Sequence, residues 1–251
     1  MSIAGSDSSA GAGIQADIKT VHSLGGYCLT ALTSVTSQNS KEIYDVFNLS
    51  KNLIFSQINA INNDIGFDSV KVGLIPNFEV AKELSSFLKN KKIPIVIDPV
   101  FKATVGKKFV PKLEYKKCQK EFFRTNTLIT PNILEMEILT DIKIKTHCDM
   151  YSAIKKLSQI TDQTILLKGG DVKSDKCLDL LFYKKKFFEF CSPRINKSST
   201  HGTGCTLSTA ITFFLGKGFT MKKSVLKARK YLFKTIKNAP NFNLKYGPLG
   251  H

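Results

Sequence analysis

Ile93-Pro94-Ile95-Val96-Ile97-Asp98-Pro99 is a short apolar run that ends in an acid. Branched apolar side chains without polar interruption are the pattern of a strand covered on both faces, as in a parallel sheet. An amphipathic helix stands before it, with Asn77 as the capping residue and Val80, Leu84 and Leu88 at helical spacing. Another buried strand, Ser69-Val70-Lys71-Val72-Gly73, precedes that helix, and before it a helix runs from a Ser50 cap to about 65. Downstream the alternation resumes with Leu128-Ile129-Thr130, helices near 134–139 and 150–160, and a strand at 164–168. Strands and helices alternating at this pitch predict βαβ units, hence an α/β fold with helical layers on both faces of a central, mostly parallel sheet.

The ends of the chain extend this plan. A strand stub at 2–5 leads into the turn Gly5-Ser6-Asp7-Ser8-Ser9-Ala10-Gly11, a helix over 12–24 stopped by Gly25-Gly26, and a strand at 29–37. Segments 177–183 and 187–191 read as a hairpin across a lysine-rich turn, and helices at 204–215 and 221–237 close the chain. We expect one domain over residues 1–251. So short a first strand weakens a sheet, which points to a homodimer.

The 251 residues are 42% hydrophobic, with no apolar run approaching the roughly 18 residues of a membrane span, so no membrane partner is expected. The first residues carry no targeting pattern, and the expected location is the cytoplasm. Six cysteines without metal-ligand or paired spacing read as reduced thiols. A net charge of +17 raises the possibility of a nucleic-acid partner. Only three of the 37 basic residues are arginines, however, and the lysines are scattered. Arginine is the favoured reader of base edges, so no nucleic-acid partner is expected. Abundant Lys, Asn, Ile and Phe also follow from A/T-rich codons.

In open α/β sheets ligands bind beyond the carboxyl ends of the strands. The positions there are Gly5-Ser6-Asp7, Gln38-Asn39, Gly73-Leu74, Asp98-Pro99-Val100, Pro131-Asn132 and Lys168-Gly169-Gly170. The strongest local signal lies elsewhere, in Thr200-His201-Gly202-Thr203-Gly204-Cys205-Thr206-Leu207-Ser208. Two glycines let successive amides turn inward at the start of an apolar helix, where unsatisfied N–H groups and the dipole favour an anion. Such a loop can hold the charge of a transferring phosphoryl group; the alternative is a glycine turn capping a buried helix. Cys205 reads either as a packing residue or as a thiol whose pKa the helix terminus lowers, able to accept a hydroxyl proton.

Four stretches in order resemble the ribokinase-like kinases, and among them the hydroxymethylpyrimidine/phosphomethylpyrimidine kinases. They are Ile3-Ala4-Gly5-Ser6-Asp7-Ser8-Ser9 with Gly11-Ala12-Gly13-Ile14-Gln15-Ala16-Asp17, Thr130-Pro131-Asn132-Ile133-Leu134-Glu135, Leu167-Lys168-Gly169-Gly170, and Thr200 through Ser208. The resemblance spans essentially the whole chain and implies a ribokinase-like three-layer fold. It also implies ATP-dependent phosphorylation of an aminopyrimidine alcohol and then of its monophosphate, with Mg2+ and a monovalent cation as possible helpers. Cys205 becomes the base, and Gly202, Thr203 and Gly204 with Cys205 form the anion hole. Asn132, Glu135, Lys168 and Thr200 meet ATP, with Glu135, and Asp98 through water, at the metal. Gln38, Gly5, Asp17, Leu74 and Val100 meet the pyrimidine. Taken without the resemblance, Asn132 and Glu135 are a helix start with a first-turn acid, Lys168 is a solvated lysine, Gln38 a turn residue and Asp98 a strand-end cap. The nearest alternative activity is phosphorylation of pyridoxal.

Overall fold

The computed structural model describes residues 1–102, 109–123, 127–172, 174–195, 197, 199–244 and 246–251. The strands are β1 (Ser2–Asp7), β2 (Thr30–Gln38), β3 (Ile43–Asn48), β4 (Val70–Val72), β5 (Ile95–Ile97), β6 (Leu128–Ile129), β7 (Thr164–Leu167), β8 (Lys176–Tyr183) and β9 (Lys186–Pro193). They form one sheet in the order β3-β2-β1-β4-β5-β6-β7-β8-β9. The six strands from β2 to β7 in that order run parallel, while β3 at one edge and the β8–β9 hairpin at the other are antiparallel.

The helices are α1 (Gly13–Ser23), α2 (Lys51–Asp64), α3 (Phe78–Lys89), α4 (Lys112–Phe122), α5 (Ile133–Thr140), α6 (His147–Ser158), α7 (Thr203–Gly216) and α8 (Met221–Lys237). The period-two geometry of the short strands sorts them into two layers. Ile95, Ile97, Ile129, Ile165 and Leu167 face a core shared with α2 to α6. The intervening Val96, Leu128 and Leu166 face a second core with Leu207, Ala210 and Ile211 of α7 and Val225 and Ala228 of α8. α1 packs on α7 in that second layer. Two predicted caps are made: Ser50 accepts from the Leu53 amide and Asn77 from the Val80 amide. Among the described residues no helix is long and apolar enough to cross a membrane.

Three expectations need correcting. The first strand is no stub: it reaches Asp7, lies inside the sheet between β2 and β4, and the turn starts only after it. β3 went unpredicted because its outward residues are exposed and its alternation is weak. α4 was missed because lysines dominate it, so that only Tyr115, Cys118, Gln119 and Phe122 are buried.

Candidate active site

The carboxyl ends of the parallel strands and the amino end of α7 enclose a cleft of about 1120 Å3. At its centre Gly202 is the N-cap of α7, with φ +85°, and its carbonyl accepts the first helical bond from the Thr206 amide at 2.9 Å. A Cβ on Gly202 would fall 1.8 Å from the carbonyl oxygen of Gly11, so no side chain fits there. The amides of the helix's first turn have no partner within the helix; that of Thr203 donates to the Thr200 carbonyl at 3.3 Å, and Thr203, Gly204 and Cys205 line the cleft.

Lys168, just past β7, reaches this terminus. Its Nζ lies 3.2 Å from where a Cβ on Gly204 would be, and it donates to Asp98 Oδ1 at 2.7 Å. Asp98 follows β5 and also accepts from Thr130 Oγ1 at 3.2 Å and Ser208 Oγ at 3.3 Å. Burial alone would raise the Asp98 pKa, but the ammonium groups of Lys168 and Lys71 hold it below the ordinary value. Lys168 is partly buried, which works to lower its pKa, but Asp98 and Glu135 raise it and keep the group charged. Behind it, the Gly169 amide donates to Asp179 Oδ1 at 2.9 Å, and Arg229 of α8 pairs with the other oxygen of Asp179.

Asn132 and Glu135 form a reciprocal cap at the start of α5. Asn132 Oδ1 accepts from the Glu135 amide at 2.9 Å, and Glu135 Oε2 accepts from the Asn132 amide at 2.8 Å. The second Glu135 oxygen accepts from the Phe101 amide at 3.3 Å. Burial pushes the Glu135 pKa up to about 7; Lys168 opposes the shift and Asp98 adds to it. Two carboxylates, one of them tied to a lysine, suit an ion carried mainly by nucleotide phosphates and reached through water. Among the described residues no group of three or more His, Cys, Asp or Glu could hold a metal alone.

The cleft is also lined by Gly5 of β1, Gln38 of β2, Leu74 after β4 and Val100 after β5. A Cβ on Gly5 would lie 3.0 Å from Leu74 Cδ2, so the glycine leaves room at the wall. The Gln38 backbone is tied to Ser8 Oγ by two bonds, while its side-chain Oε1 is buried with no hydrogen-bond partner among the described residues. An orphaned buried acceptor is costly unless a ligand supplies a donor. Thr200 and Thr203 also line the cleft.

Two expectations fail. Asp17 is fully buried and does not line the cleft; its carboxylate is used up by Lys71 Nζ at 2.8 Å, Ser2 Oγ at 2.5 Å and Thr209 Oγ1 at 2.6 Å. Nor is the Cys205 thiol acidic. Burial pushes its pKa up to about 11, Asp98 and Asp17 add to the shift, and Lys71 offsets part of it. Burial, the largest cause, sets the direction of the shift.

Sequence reasoning missed the joint between the first and last parts of the cleft. His201 Nε2 lies 2.8 Å from Asp7 Oδ2, and Asp7 also accepts from the amides of Ser9, Gly11 and Ala12. Burial works to raise the Asp7 pKa, yet the His201 and Ser9 contacts hold it well below the usual carboxylate range. Lys71 was also missed, although its signal was present: a charge in the middle of a three-residue buried strand.

A family model described as phosphomethylpyrimidine kinase matches residues 7–250. The chain belongs to the phosphomethylpyrimidine kinase family. It is 33% identical to the hydroxymethylpyrimidine/phosphomethylpyrimidine kinase of Aquifex aeolicus, over 98% of this chain and 97% of that protein. It is 34% identical to a thiamine biosynthesis bifunctional protein of Geobacter sulfurreducens over its whole length, and there it spans only 51% of the relative. Among solved structures it is similar to Bacillus subtilis pyridoxal kinase, crystallised as an ADP complex, with TM-score 0.89, 33% identity, and coverage of 100% of this chain and 96% of the other. The ribokinase-like layering expected from the sequence is therefore the fold of this family member.

Proposed function

We propose that this chain transfers the γ-phosphoryl group of ATP to the hydroxymethyl oxygen of 4-amino-5-hydroxymethyl-2-methylpyrimidine, and then transfers a second one to the resulting monophosphate. One observation carries the reading. The amides of the Gly202-to-Cys205 turn, the Lys168–Asp98 pair and the unpartnered Gln38 Oε1 line one cleft. An aminopyrimidine has the exocyclic N–H that the Gln38 acceptor lacks.

In this reading ATP lies toward β8, β9 and α8, where Ile195, Leu226, Phe233 and Ile236 line the cleft, and its phosphates meet Lys168, Thr200 and the α7 turn. Glu135 and Asp98 would hold a Mg2+ ion through water, and that ion would supply charge neutralisation at the phosphates. Gly202, Thr203 and Gly204 stabilise the three equatorial oxygens through backbone amides. Cys205 takes the alcohol proton in the first step, in the fraction of molecules whose sulfur is ionised. The phosphate acceptor of the second step is already anionic and needs no such help.

The same reading makes the chain a single-domain cytoplasmic protein. A homodimer remains part of this reading on a ground other than the first strand: Val35 and Phe47, cross-strand partners on β2 and β3, are 43% and 67% exposed and offer a face to a second copy. Phosphorylation of pyridoxal is the second reading, favoured by the similarity to Bacillus subtilis pyridoxal kinase. ADP release measured with the pyrimidine alcohol, its monophosphate and pyridoxal decides between them. Turnover of the first two at higher kcat/KM than pyridoxal is expected; turnover of pyridoxal alone would overturn the assignment.

A further inference from the structure

We infer that Lys71, held in place by Asp17, is a positioning residue that sets the ionisation of the Cys205 thiol. Its bearing on catalysis rests on the proposed role of Cys205 as proton acceptor, but the effect itself is a property of the sulfur that can be measured without turnover.

Lys71 is the middle residue of β4 and is 1% exposed. A lysine inside a sheet is an expensive choice: a buried ion pair adds little stability compared with apolar residues of the same size. The side chain does not escape to solvent. It runs along the sheet to its carboxyl edge, where Nζ lies 3.0 Å from the place a Cβ on Gly73 would take, and there it donates to Asp17 Oδ2 at 2.8 Å.

The other Asp17 oxygen accepts from Thr209 Oγ1 at 2.6 Å. Thr209 is one helical turn after Cys205 on α7, and residues four apart share a helix face. The Lys71–Asp17 pair therefore sits beneath the same face that presents the thiol, and both Lys71 and Cys205 line the cleft while Asp17 does not. The sulfur also accepts from the Gly13 amide of α1. The charged groups acting on it are Lys71 from β4, Asp98 from the end of β5, Asp17 from α1 and Lys168 from the end of β7. Of these, Lys71 favours the thiolate and the two carboxylates oppose it. Asp17 fixes where that cation stands, and at the same time opposes it.

The opposition yields a test that a purely structural ion pair would fail. In the full chain, the rate at which iodoacetamide modifies Cys205 at pH 9, followed by mass spectrometry of the peptide that carries it, reports the thiolate. Lys71→Gln should slow the modification and Asp17→Asn should speed it, each by about threefold or more. That is the yield of a one-unit pKa change, because a tenfold change in thiolate is partly cancelled by the opposite change in nucleophilicity. Rates that stay put, or that move in the same direction in both variants, would overturn the inference. Where either single variant fails to give the native circular dichroism spectrum, the double variant Asp17→Asn/Lys71→Met, which leaves no lone buried charge, replaces it. Its modification should be slower than in the wild type, and an equal or faster rate refutes the role. Cys205→Ala tests the base assignment separately: unchanged alcohol phosphorylation there would remove the catalytic role and leave the alkylation rates intact.

Discussion

Asp7 Oδ2 and His201 Nε2 lie 2.8 Å apart across a sequence separation of 194 residues, and this contact joins the turn after β1 to the turn that opens α7. The Asp7 pKa is held below its unfolded value, so the stability it contributes is present above about pH 4 and is lost as acid protonates the folded carboxylate. Asp7→Asn should therefore lower Tm at pH 7, and the gap to the wild type should close on acidification. A gap of constant size down to pH 3, read by thermal denaturation, would contradict this.

Gly202→Ala meets two obstacles at once: a left-handed φ of +85° and the Gly11 carbonyl 1.8 Å from the new methyl group. The strain is of the order of 1–3 kcal/mol before any clash is relieved. We expect both phosphorylations to be lost together, since both use the same amides, with a fall in Tm. Normal kcat on either acceptor would show that the turn does not hold the phosphoryl group.

Lys168→Met leaves Asp98 buried with Thr130 and Ser208 as its hydrogen-bond donors among the described residues. Removing one charged donor from a transfer site typically lowers kcat by about 100-fold. Steady-state kinetics should show this loss together with a raised KM for ATP, and a change confined to the pyrimidine KM would relocate the lysine.

With a thiol pKa of about 11, Cys205 is protonated at neutral pH. If it is the base, kcat for the alcohol should climb as pH rises from 7 towards 10, and kcat for the monophosphate should not. Equal profiles for the two acceptors would dismiss the thiol as proton acceptor.

Gln38→Ala removes the unpartnered acceptor of the substrate wall. A lost hydrogen bond of about 1–1.5 kcal/mol corresponds to roughly a tenfold rise in the pyrimidine KM, with the KM for ATP unmoved. An unaltered pyrimidine KM would remove Gln38 from the substrate site.

The sequence carried the layered plan because the determining signals are local. Asn77 and Ser50 cap the helices they were expected to cap, and the unbroken apolar run at β5 is buried throughout. The glycines of the α7 turn were legible for the same reason, because the turn and the helix it opens are contiguous. What was hidden depends on pairs far apart in the chain. Asp17 read as a cleft residue only through the family resemblance, whereas the packed structure turns it towards Lys71 and Thr209. From its helix position Cys205 read either as a packing residue or as an acidic thiol; burial raises its pKa instead, and carboxylates from α1 and from the end of β5 add to the shift. β3 and α4 were illegible because solvent covers much of each, which leaves too few apolar positions to set a period.

The Asp7–His201 joint also bears on how the enzyme is made. Chains leave the ribosome amino end first, so β1 and its turn emerge long before their partner. A nascent chain ending at residue 190 could assemble much of the parallel sheet, yet its Asp7 would still have no imidazole to meet. Competence for phosphoryl transfer is thus one of the last properties the polypeptide acquires, and an interrupted translation product would be inert towards ATP.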